Sequence, residues 1–259
     1  LTKNNPSRTN EGISEEIILG PQPYSLPGKR AVAVFGSINV DLIAETATFP
    51  TPNTNQPGRD FNTFPGGKGA NEAVACGLLG ISCFMIGRVG RDDFGRQMLS
   101  ELSHVTNIDG IMLDATERTG VAMIVKASDT KHKATTSCAA ANLTIGDDEQ
   151  QMLSLLFRDV SEVRFVLSQL EIAANAVLEA ARLSNLCGKI VAIRASPITH
   201  MDDFPAQLWD HTHILIVNEW ETVILLGTEA AKKRNIPMPL NSLGQCAKVS
   251  LFSVVFLMG

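Results

Sequence analysis

The sequence lacks the features that mark membrane, nucleic-acid-binding and disulfide-rich proteins. Its longest apolar run, residues 249–259, is shorter than the roughly 20 residues that a helix needs to cross a bilayer, so no membrane span is predicted. The formal net charge is only −5 over 259 residues. Proteins that bind nucleic acids usually carry a basic face, so this mild acidity argues against a nucleic-acid partner.

Cysteine is scarce and dispersed. The cysteines are odd in number and form no C-x-x-C pair: Cys76, Cys83, Cys138, Cys187 and Cys246. This usage is typical of a reducing compartment, because the cysteines of a disulfide framework are dense and even in number. We therefore expect core or neutral roles for them and an intracellular location, either the cytoplasm or an organelle such as a plastid.

Three regions of the chain differ in composition. Residues 1–29 are polar and rich in proline and glycine, which predicts a tail or linker. Because the sequence begins at Leu1, this region is also interpreted as the remnant of a targeting segment. Residues 30–248 have the composition of a folded domain, and residues 249–259 form an apolar tail.

From Arg30 onward, apolar runs alternate with amphipathic segments. Residues 31–40 are almost continuously apolar, which predicts one buried strand, and residues 68–80 have helical spacing. The alternation predicts an α/β fold with a mainly parallel central sheet flanked by helices. Residues 46–65 and 119–137 are expected to supply small β segments outside that sheet.

Polar residues follow the predicted strands at their carboxyl ends. In open parallel sheets, ligands bind at this edge. The rule indicates a site formed by residues that stand at or just after an apolar run: Asn39, Asp41, Glu171, Arg194, Asn218 and Glu221.

The glycine-rich segment FPGGKGANEA, residues 64–73, admits three interpretations. A phosphate loop requires a hydroxyl residue after its lysine, but Lys68 is followed by Gly69. The dinucleotide fingerprint G-x-G-x-x-G fails because the pattern ends on Glu72. A tight turn at a helix start explains one or two glycines. It does not explain Asn71, which lies where backbone N–H groups are free to bind a ligand.

The wider pattern identifies a family. G-G-K-G-A-N at residues 66–71 is preceded by GSINVDLI at 36–43 and followed by GRVGRDDFG at 87–95 and NEWETVILLG at 218–227. In this order the motifs resemble the ribokinase family of carbohydrate kinases, also called the PfkB family. The resemblance extends over about residues 31–248, and the first two motifs are most similar to the ribokinase branch.

The resemblance implies a function. Members of this family bind a sugar between an α/β core and a small β lid, and they phosphorylate a hydroxymethyl oxygen with ATP. The implied reaction converts D-ribose into ribose 5-phosphate, with another sugar or nucleoside as the alternative substrate. The resemblance also implies Mg²⁺ and K⁺ as cofactors beside ATP, and a homodimer that forms through the lids.

Roles for individual residues follow from the same resemblance. The sugar would be bound by Asn39, Asp41, Gly67, Lys68, Gly69, Asn71 and Glu171. Asn218 would lie near the ATP phosphates, and Glu221 would act on Mg²⁺ through water. The alternatives are structural. Asp41 can be a strand-end cap, Lys68 and Glu171 can be solvated charges, and Glu221 can be an ordinary helix-face charge.

One part of the family pattern is absent. A motif resembling D-T-x-G-A-G-D supplies the catalytic base and the anion hole of the family, and no G-A-G-D occurs in the 259 residues. We therefore expect a chain truncated at its C-terminal side, inactive by itself, with a divergent tail at 249–259 and an uncovered sheet edge. The alternative hypothesis is a non-catalytic product that binds a sugar or a partner.

Two smaller departures concern single positions. The family usually has Asn-Pro at a strand end where this chain has Arg194. Its cation can bind phosphate, bind a counter-carboxylate, or crowd the nucleotide. The family also has Gly-Ala-Asn after the lid strands where this chain has Ala140, Ala141 and Asn142, which removes backbone freedom.

Overall fold

The structure is a computed structural model that describes residues 30–129, 132–226 and 254–257. These residues form two β-sheets and five α-helices. The strands are β1 Ala31–Phe35, β2 Asn39–Thr46, β3 Gly58–Gly66, β4 Ser82–Gly90, β5 Asn107–Asp114, β6 Gly120–Ala127, β7 Lys133–Cys138, β8 Val163–Gln169, β9 Ile190–Arg194, β10 Ile214–Val217 and β11 Val254–Leu257. The helices are α1 Lys68–Leu78, α2 Asp93–Ser103, α3 Asp147–Asp159, α4 Ala174–Leu186 and α5 Glu219–Leu226.

The central sheet has seven strands in the order β11-β10-β9-β8-β1-β4-β5. All neighbouring pairs are parallel except β10 with β11. The prediction of an α/β fold with a mainly parallel sheet is therefore confirmed. Because the strands run the same way, the carboxyl ends of β1, β8, β9 and β10 meet at one edge, where a ligand site is expected.

Helices cover both faces of the central sheet. Successive side chains of β1 point to opposite faces, so Phe35 joins a core with α3 and α4 while Val34 joins a second core with α1 and α2. No helix among the described residues is both long and apolar enough to cross a membrane.

The second sheet, here called the lid, consists of four strands in the order β3-β2-β6-β7. Its central pair, β2 and β6, is parallel, and the two outer pairs are antiparallel. The face that carries Leu42 also carries Phe61 and Met123, because Met123 is the register partner of Leu42 and Phe61 that of Ala44. Phe61 and Met123 are exposed, so this face presents apolar side chains to the surroundings.

The prediction of one strand over residues 31–40 is wrong. The chain leaves the central sheet after Phe35 and enters the lid at Asn39, so residues 31–40 belong to two sheets. All ten residues are buried. A continuous apolar run therefore does not reveal the point at which the chain passes from one sheet to the other. As a consequence, Asn39 and Asp41 lie on a lid strand and not at the end of a central strand.

The expectation of an uncovered sheet edge is also corrected in part. Residues 254–257, within the apolar tail, form β11 and pair antiparallel with β10. An apolar segment with high β-propensity can satisfy the N–H and C=O groups that an edge strand exposes. The opposite edge of the central sheet is formed by β5.

Four chain segments pass between core and lid, and hydrogen bonds join three of them to one another through the fourth segment listed here. They comprise residues 36–38, 66–67, 115–119 and 139–142, and together they are called the joint. Asn142 Oδ1 accepts a hydrogen bond from Ile38 N at 2.8 Å, and Ala141 N donates to Arg118 O at 2.9 Å. Thr119 N donates to Asp92 Oδ2 at 2.9 Å, which ties the third segment to the start of α2. The lid is thus held at one place.

Candidate functional site

Ser37 connects three of the elements that meet at the carboxyl edge. It follows β1, and its hydroxyl donates a hydrogen bond to Glu171 Oε2 at 2.6 Å. Ser37 Oγ also accepts a hydrogen bond from Gly69 N at 3.2 Å. Ser37 therefore ties the end of β1 to the glycine-rich segment and to the residues after β8.

The glycines of that segment are required by contacts within the protein. Gly67 has φ 89°, in the left-handed region that favours glycine. A Cβ atom on Gly67 would lie 2.8 Å from Asn39 N, and one on Gly69 would lie 2.7 Å from Ser37 N. Protein backbone already occupies the space of both side chains, so contacts within the protein are sufficient to require glycine at these two positions. Contact of Gly67 and Gly69 with a sugar stays a prediction.

Lys68 and Glu171 form an ion pair at the start of α1. Lys68 N donates to Glu171 Oε2 at 2.8 Å, and Lys68 Nζ pairs with Glu171 Oε1. The Glu171 side chain is only 17% exposed. Burial alone would raise the pKa of Glu171, but hydrogen bonds from Lys68 and Ser37 outweigh it and hold that pKa below its usual range. Lys68 and Glu171 are therefore paired, and the alternative that each is a freely solvated charge does not fit.

Asp41 lies beside this ion pair on lid strand β2. Its Oδ1 takes the space in which a Cβ of Gly66 would stand, 2.1 Å from that position. Burial raises the pKa of Asp41, the negative charge of Glu171 raises it further, and Lys68 opposes both. No group within residues 30–129, 132–226 and 254–257 donates a hydrogen bond to Asp41. Its carboxylate is therefore a half-buried acceptor that no donor among the described residues satisfies.

Asn39 is held in one orientation by Asn142. Asn142 is fully buried, and its Nδ2 donates to Asn39 Oδ1 at 2.8 Å. The oxygen of the Asn39 amide is thus engaged inside the joint. A ligand would meet the Nδ2 donor of Asn39 rather than its oxygen.

A second polar cluster lies on the α1 side of the same edge. Glu72 Oε2 accepts a hydrogen bond from Gln169 Nε2, and Glu72 Oε1 lies 4.0 Å from Arg194 Nη1. Burial raises the pKa of Glu72 to about 7. Of the three alternatives for Arg194, the structure shows the counter-carboxylate. Asn71, one residue before Glu72, is exposed in the first turn of α1.

Asn218 and Glu221 form a reciprocal cap at the start of α5. Asn218 N donates to Glu221 Oε2 at 2.8 Å, and Glu221 N donates to Asn218 Oδ1 at 2.8 Å. This is the capping-box arrangement, which satisfies two N–H groups at a helix start. Glu221 is buried, so the alternative of an ordinary helix-face charge does not fit. Its action on Mg²⁺ stays a prediction.

The predicted residues fall into two groups. Asn39, Asp41, Lys68 and Glu171 come together where the lid meets the ends of β1 and β8. Asn218 and Glu221 lie after β10, which strand β9 separates from β8. The described residues contain no group of three or more histidine, cysteine, aspartate or glutamate side chains placed to hold a metal ion.

Sequence reasoning missed four residues that organise the site. Ser37 lies inside the quoted motif GSINVDLI and could have been found there. Asn142 appears in the sequence analysis only as part of the segment 140–142. Its buried hydrogen bonds to residues 38 and 39 span about a hundred positions, which no local pattern reveals. Glu72 lies inside the quoted segment 64–73, but neither it nor Gln169 is recognisable there as a buried site residue, because a polar residue in a helix or strand is ordinarily exposed.

Comparison with known proteins agrees with this fold. The model of the pfkB family of carbohydrate kinases matches residues 29–247. Ribokinase of Schizosaccharomyces pombe is 31% identical over 202 residues, which cover 75% of this chain and 61% of that protein. Ribokinase of Mus musculus is 29% identical over 209 residues, which cover 80% of this chain and 62% of that protein. The chain thus spans about three fifths of the length of these two relatives.

A solved structure shows the same architecture. The structure of Arabidopsis thaliana ribokinase complexed with ribose and ATP matches with a TM-score of 0.69 at 24% identity, covering 85% of this chain and 67% of that one. At this identity the likeness concerns the fold alone. Since the family model covers most of the sequence and the fold agrees, the chain belongs to the pfkB family of carbohydrate kinases.

Proposed function

We propose that the protein binds D-ribose between the lid and the carboxyl edge of the central sheet. The hydroxymethyl oxygen of the bound ribose then receives the γ-phosphate of ATP, which gives ribose 5-phosphate. The observation that carries the proposal is the Asp41 carboxylate, a half-buried acceptor beside the Lys68–Glu171 pair. An ionised carboxylate accepts hydrogen bonds from two adjacent hydroxyls. The relatives named ribokinase support ribose, and another sugar or nucleoside is the alternative.

The other residues of the site complete the sugar contacts in this proposal. Asn39 offers its Nδ2 donor, since Asn142 engages its oxygen. Lys68 and the exposed Asn71 donate to hydroxyls. Glu171 holds Lys68 in place and, because a carboxylate has about four lone-pair sites, still has capacity for one hydroxyl on the far side of the sugar.

ATP and Mg²⁺ belong to the second group of residues. Asn218 and Glu221 stand at the carboxyl end of β10, and Mg²⁺ prefers oxygen ligands while it keeps several waters. One oxygen of each side chain already accepts a backbone hydrogen bond, so the pair suits contact through water better than direct ligation. When bound, Mg²⁺ supplies charge neutralisation for the phosphates. A K⁺ requirement remains a prediction from the family.

A second candidate function rests on the motif that these residues do not contain. The 259 residues hold no D-T-x-G-A-G-D sequence, so the base and the anion hole of the family have no counterpart in them. We propose that a polypeptide of these residues alone binds the sugar, or a partner, without transferring phosphate at an enzymatic rate.

Two further proposals concern the oligomeric state of the protein and its cellular compartment. The exposed apolar side chains of Phe61 and Met123 on one lid face support a homodimer that forms through the lids. The dispersed cysteines support an intracellular, reducing compartment; the four in the described residues, Cys76, Cys83, Cys138 and Cys187, are free thiols.

Replacement of Asp41 tests the proposed function. Asp41→Ala removes the acceptor from the sugar rim, and we expect ribose affinity to fall about a thousandfold. Isothermal titration calorimetry measures this directly. Asp60→Ala, an exposed aspartate on the neighbouring strand β3, is the matched control and should bind ribose like the wild type. Unchanged ribose affinity in Asp41→Ala would show that this carboxylate does not bind the sugar.

A further inference from the structure

Arg194 lies between the two halves of the proposed site. It is the last residue of β9, and β9 stands between β8 and β10 in the central sheet. The chain after β8 carries Glu171 of the sugar group, and the chain after β10 carries Asn218 of the nucleotide group. A phosphoryl group that passes between sugar and nucleotide must cross the end of β9.

The Arg194 side chain is held on a defined face of the sheet. Gln169 and Arg194 are register partners on adjacent parallel strands, so their side chains project to the same face. That face is covered by α1, from which Glu72 contacts both of them. Gly36 at the end of β1 makes room for this arrangement, because a Cβ there would lie 2.0 Å from Gln169 Oε1.

The ion pair with Glu72 leaves Arg194 with unused binding capacity. The contact is long, 4.0 Å, and it involves one of the three guanidinium nitrogens. The Arg194 side chain remains 42% exposed, whereas Glu72 is 16% exposed. A guanidinium has five N–H donors in a planar fork that suits phosphate oxygens. Because burial raises the pKa of Glu72 to about 7, this carboxyl neutralises Arg194 only partly at neutral pH.

We propose that Arg194 binds the phosphoryl group next to the sugar, with Glu72 and Gln169 as positioning residues that orient its side chain. The inference rests on the proposed function and deepens it. The phosphate oxygens can belong to the sugar phosphate or to the nucleotide, and the recognition chemistry is the same for both. Asn, the usual family residue at this position, has no charge to offer, so the contact distinguishes this chain.

The test compares ligands that differ only in phosphate. The full chain and its Arg194→Asn variant are titrated calorimetrically with ribose, ribose 5-phosphate and ATP. We expect ribose affinity to stay within about twofold, and affinity for a phosphorylated ligand to fall about tenfold to a hundredfold, as for loss of a charge-assisted hydrogen-bond pair. A loss for ribose 5-phosphate assigns the contact to the sugar phosphate, and a loss for ATP alone assigns it to the nucleotide.

Matched variants separate binding from structure. Arg182→Asn on α4 removes another partly exposed, paired arginine and should change none of the three affinities. Glu72→Gln removes the charge that both holds and partly neutralises Arg194. A smaller loss of affinity for the phosphorylated ligands assigns a positioning role to Glu72, whereas a gain of affinity contradicts that role and shows that its charge competes with phosphate. Arg194→Lys keeps the charge without the fork and should recover part of the loss. Thermal unfolding verifies that each variant is folded.

Two results have opposite meanings. Equal affinities of wild type and Arg194→Asn for ribose 5-phosphate and for ATP, with ribose still bound, would overturn this inference and leave the proposed function standing. Absence of ribose binding by the wild type, with ATP binding that depends on Arg194, would contradict the proposed function while supporting the phosphoryl contact.

Discussion

At the scale of single residues, Ala140 shows that the surrounding contacts can hold a backbone conformation that favours glycine even where the residue is not glycine. It lies in the last segment of the joint, residues 139–142, with φ 47°, in the left-handed region. The resemblance to the family implies glycine here, and a side chain in this region costs on the order of 1–2 kcal/mol. The hydrogen bonds of Ala141 and Asn142, its neighbours, hold the backbone in this conformation nevertheless.

We predict that Ala140→Gly stabilises the protein. Glycine relieves the strain, and we expect the free energy of unfolding to rise by about 1 kcal/mol, reduced somewhat by the greater freedom of glycine in the unfolded chain. Urea denaturation of the full chain measures the change. Ala141→Gly is the control, because Ala141 is fully buried without a positive φ, and its replacement should destabilise. A less stable Ala140→Gly protein would refute the strain argument.

Glu72 makes stability depend on pH. Its carboxyl ionises near its ordinary value of 4.5 when unfolded and near about 7 when folded. The folded protein therefore holds a proton between these values that unfolding releases, so this group lowers stability as pH rises from 4.5 toward 7. The full effect is about 3 kcal/mol.

The Glu72→Gln variant removes this titration. We predict that wild type and Glu72→Gln differ little in unfolding free energy near pH 4.5, and that the variant becomes more stable by up to about 3 kcal/mol by pH 8. Denaturation at a series of pH values gives the difference, with Glu101→Gln, an exposed glutamate on α2, as the control. A constant difference across this range would show that Glu72 titrates normally.

At the scale of elements, the sequence predicted strands and helices well where each element packs in one layer. The helix that begins at residue 68 is found where its periodicity places it. The division of residues 31–40 escaped prediction, because burial in the core and burial at the joint produce the same apolar pattern. Likewise the motifs single out Asp41 and Lys68, and the strand-end rule singles out Glu171, whereas the buried position of Gln169 has no such signal, since its neighbours come from other elements.

Strand β11 protects the edge of the central sheet. We predict that a chain ending at Ser253 exposes the N–H and C=O groups of β10 and forms soluble aggregates, with the non-aggregated fraction reduced severalfold. Size-exclusion chromatography with light scattering measures this fraction. A chain lacking residues 1–29 serves as the control for truncation itself. Equal aggregation of the two shortened chains would mean that β11 does not cover the edge in solution.

At the scale of the whole molecule, the motifs that these residues contain are those proposed to bind the sugar, whereas the motif that supplies the catalytic base and the anion hole of the family is absent from them. We predict that a polypeptide of residues 1–259 does not phosphorylate ribose at an enzymatic rate. Loss of a general base costs about a hundred to ten thousandfold in rate, and loss of one anion-hole donor costs on the order of a hundred to a thousandfold more.

The assay follows ADP release with ribose, ATP, Mg²⁺ and K⁺ present. Ribose binding by the same preparation is measured in parallel, so that a misfolded sample is recognised. A turnover near one per second, ordinary for kinases, would mean that a residue within these 259 supplies the base. Glu72, with a pKa of about 7 at the same edge, would then be the first to replace.

The joint also sets a rule for exchanging parts between relatives. Three of the four crossings between core and lid are hydrogen-bonded to one another, and Gly67 in the remaining one packs closely against residues 37–39. A foreign lid therefore cannot be grafted by cutting at the ends of its strands alone. Asn142 and Gly67 would have to be transferred together with the lid. Asn142 forms hydrogen bonds with residues 38 and 39, and a side chain on Gly67 would clash with the backbone of those residues. A chimera whose borders lie outside the joint keeps these contacts within one parent sequence. Recombination between homologous genes is under the same constraint.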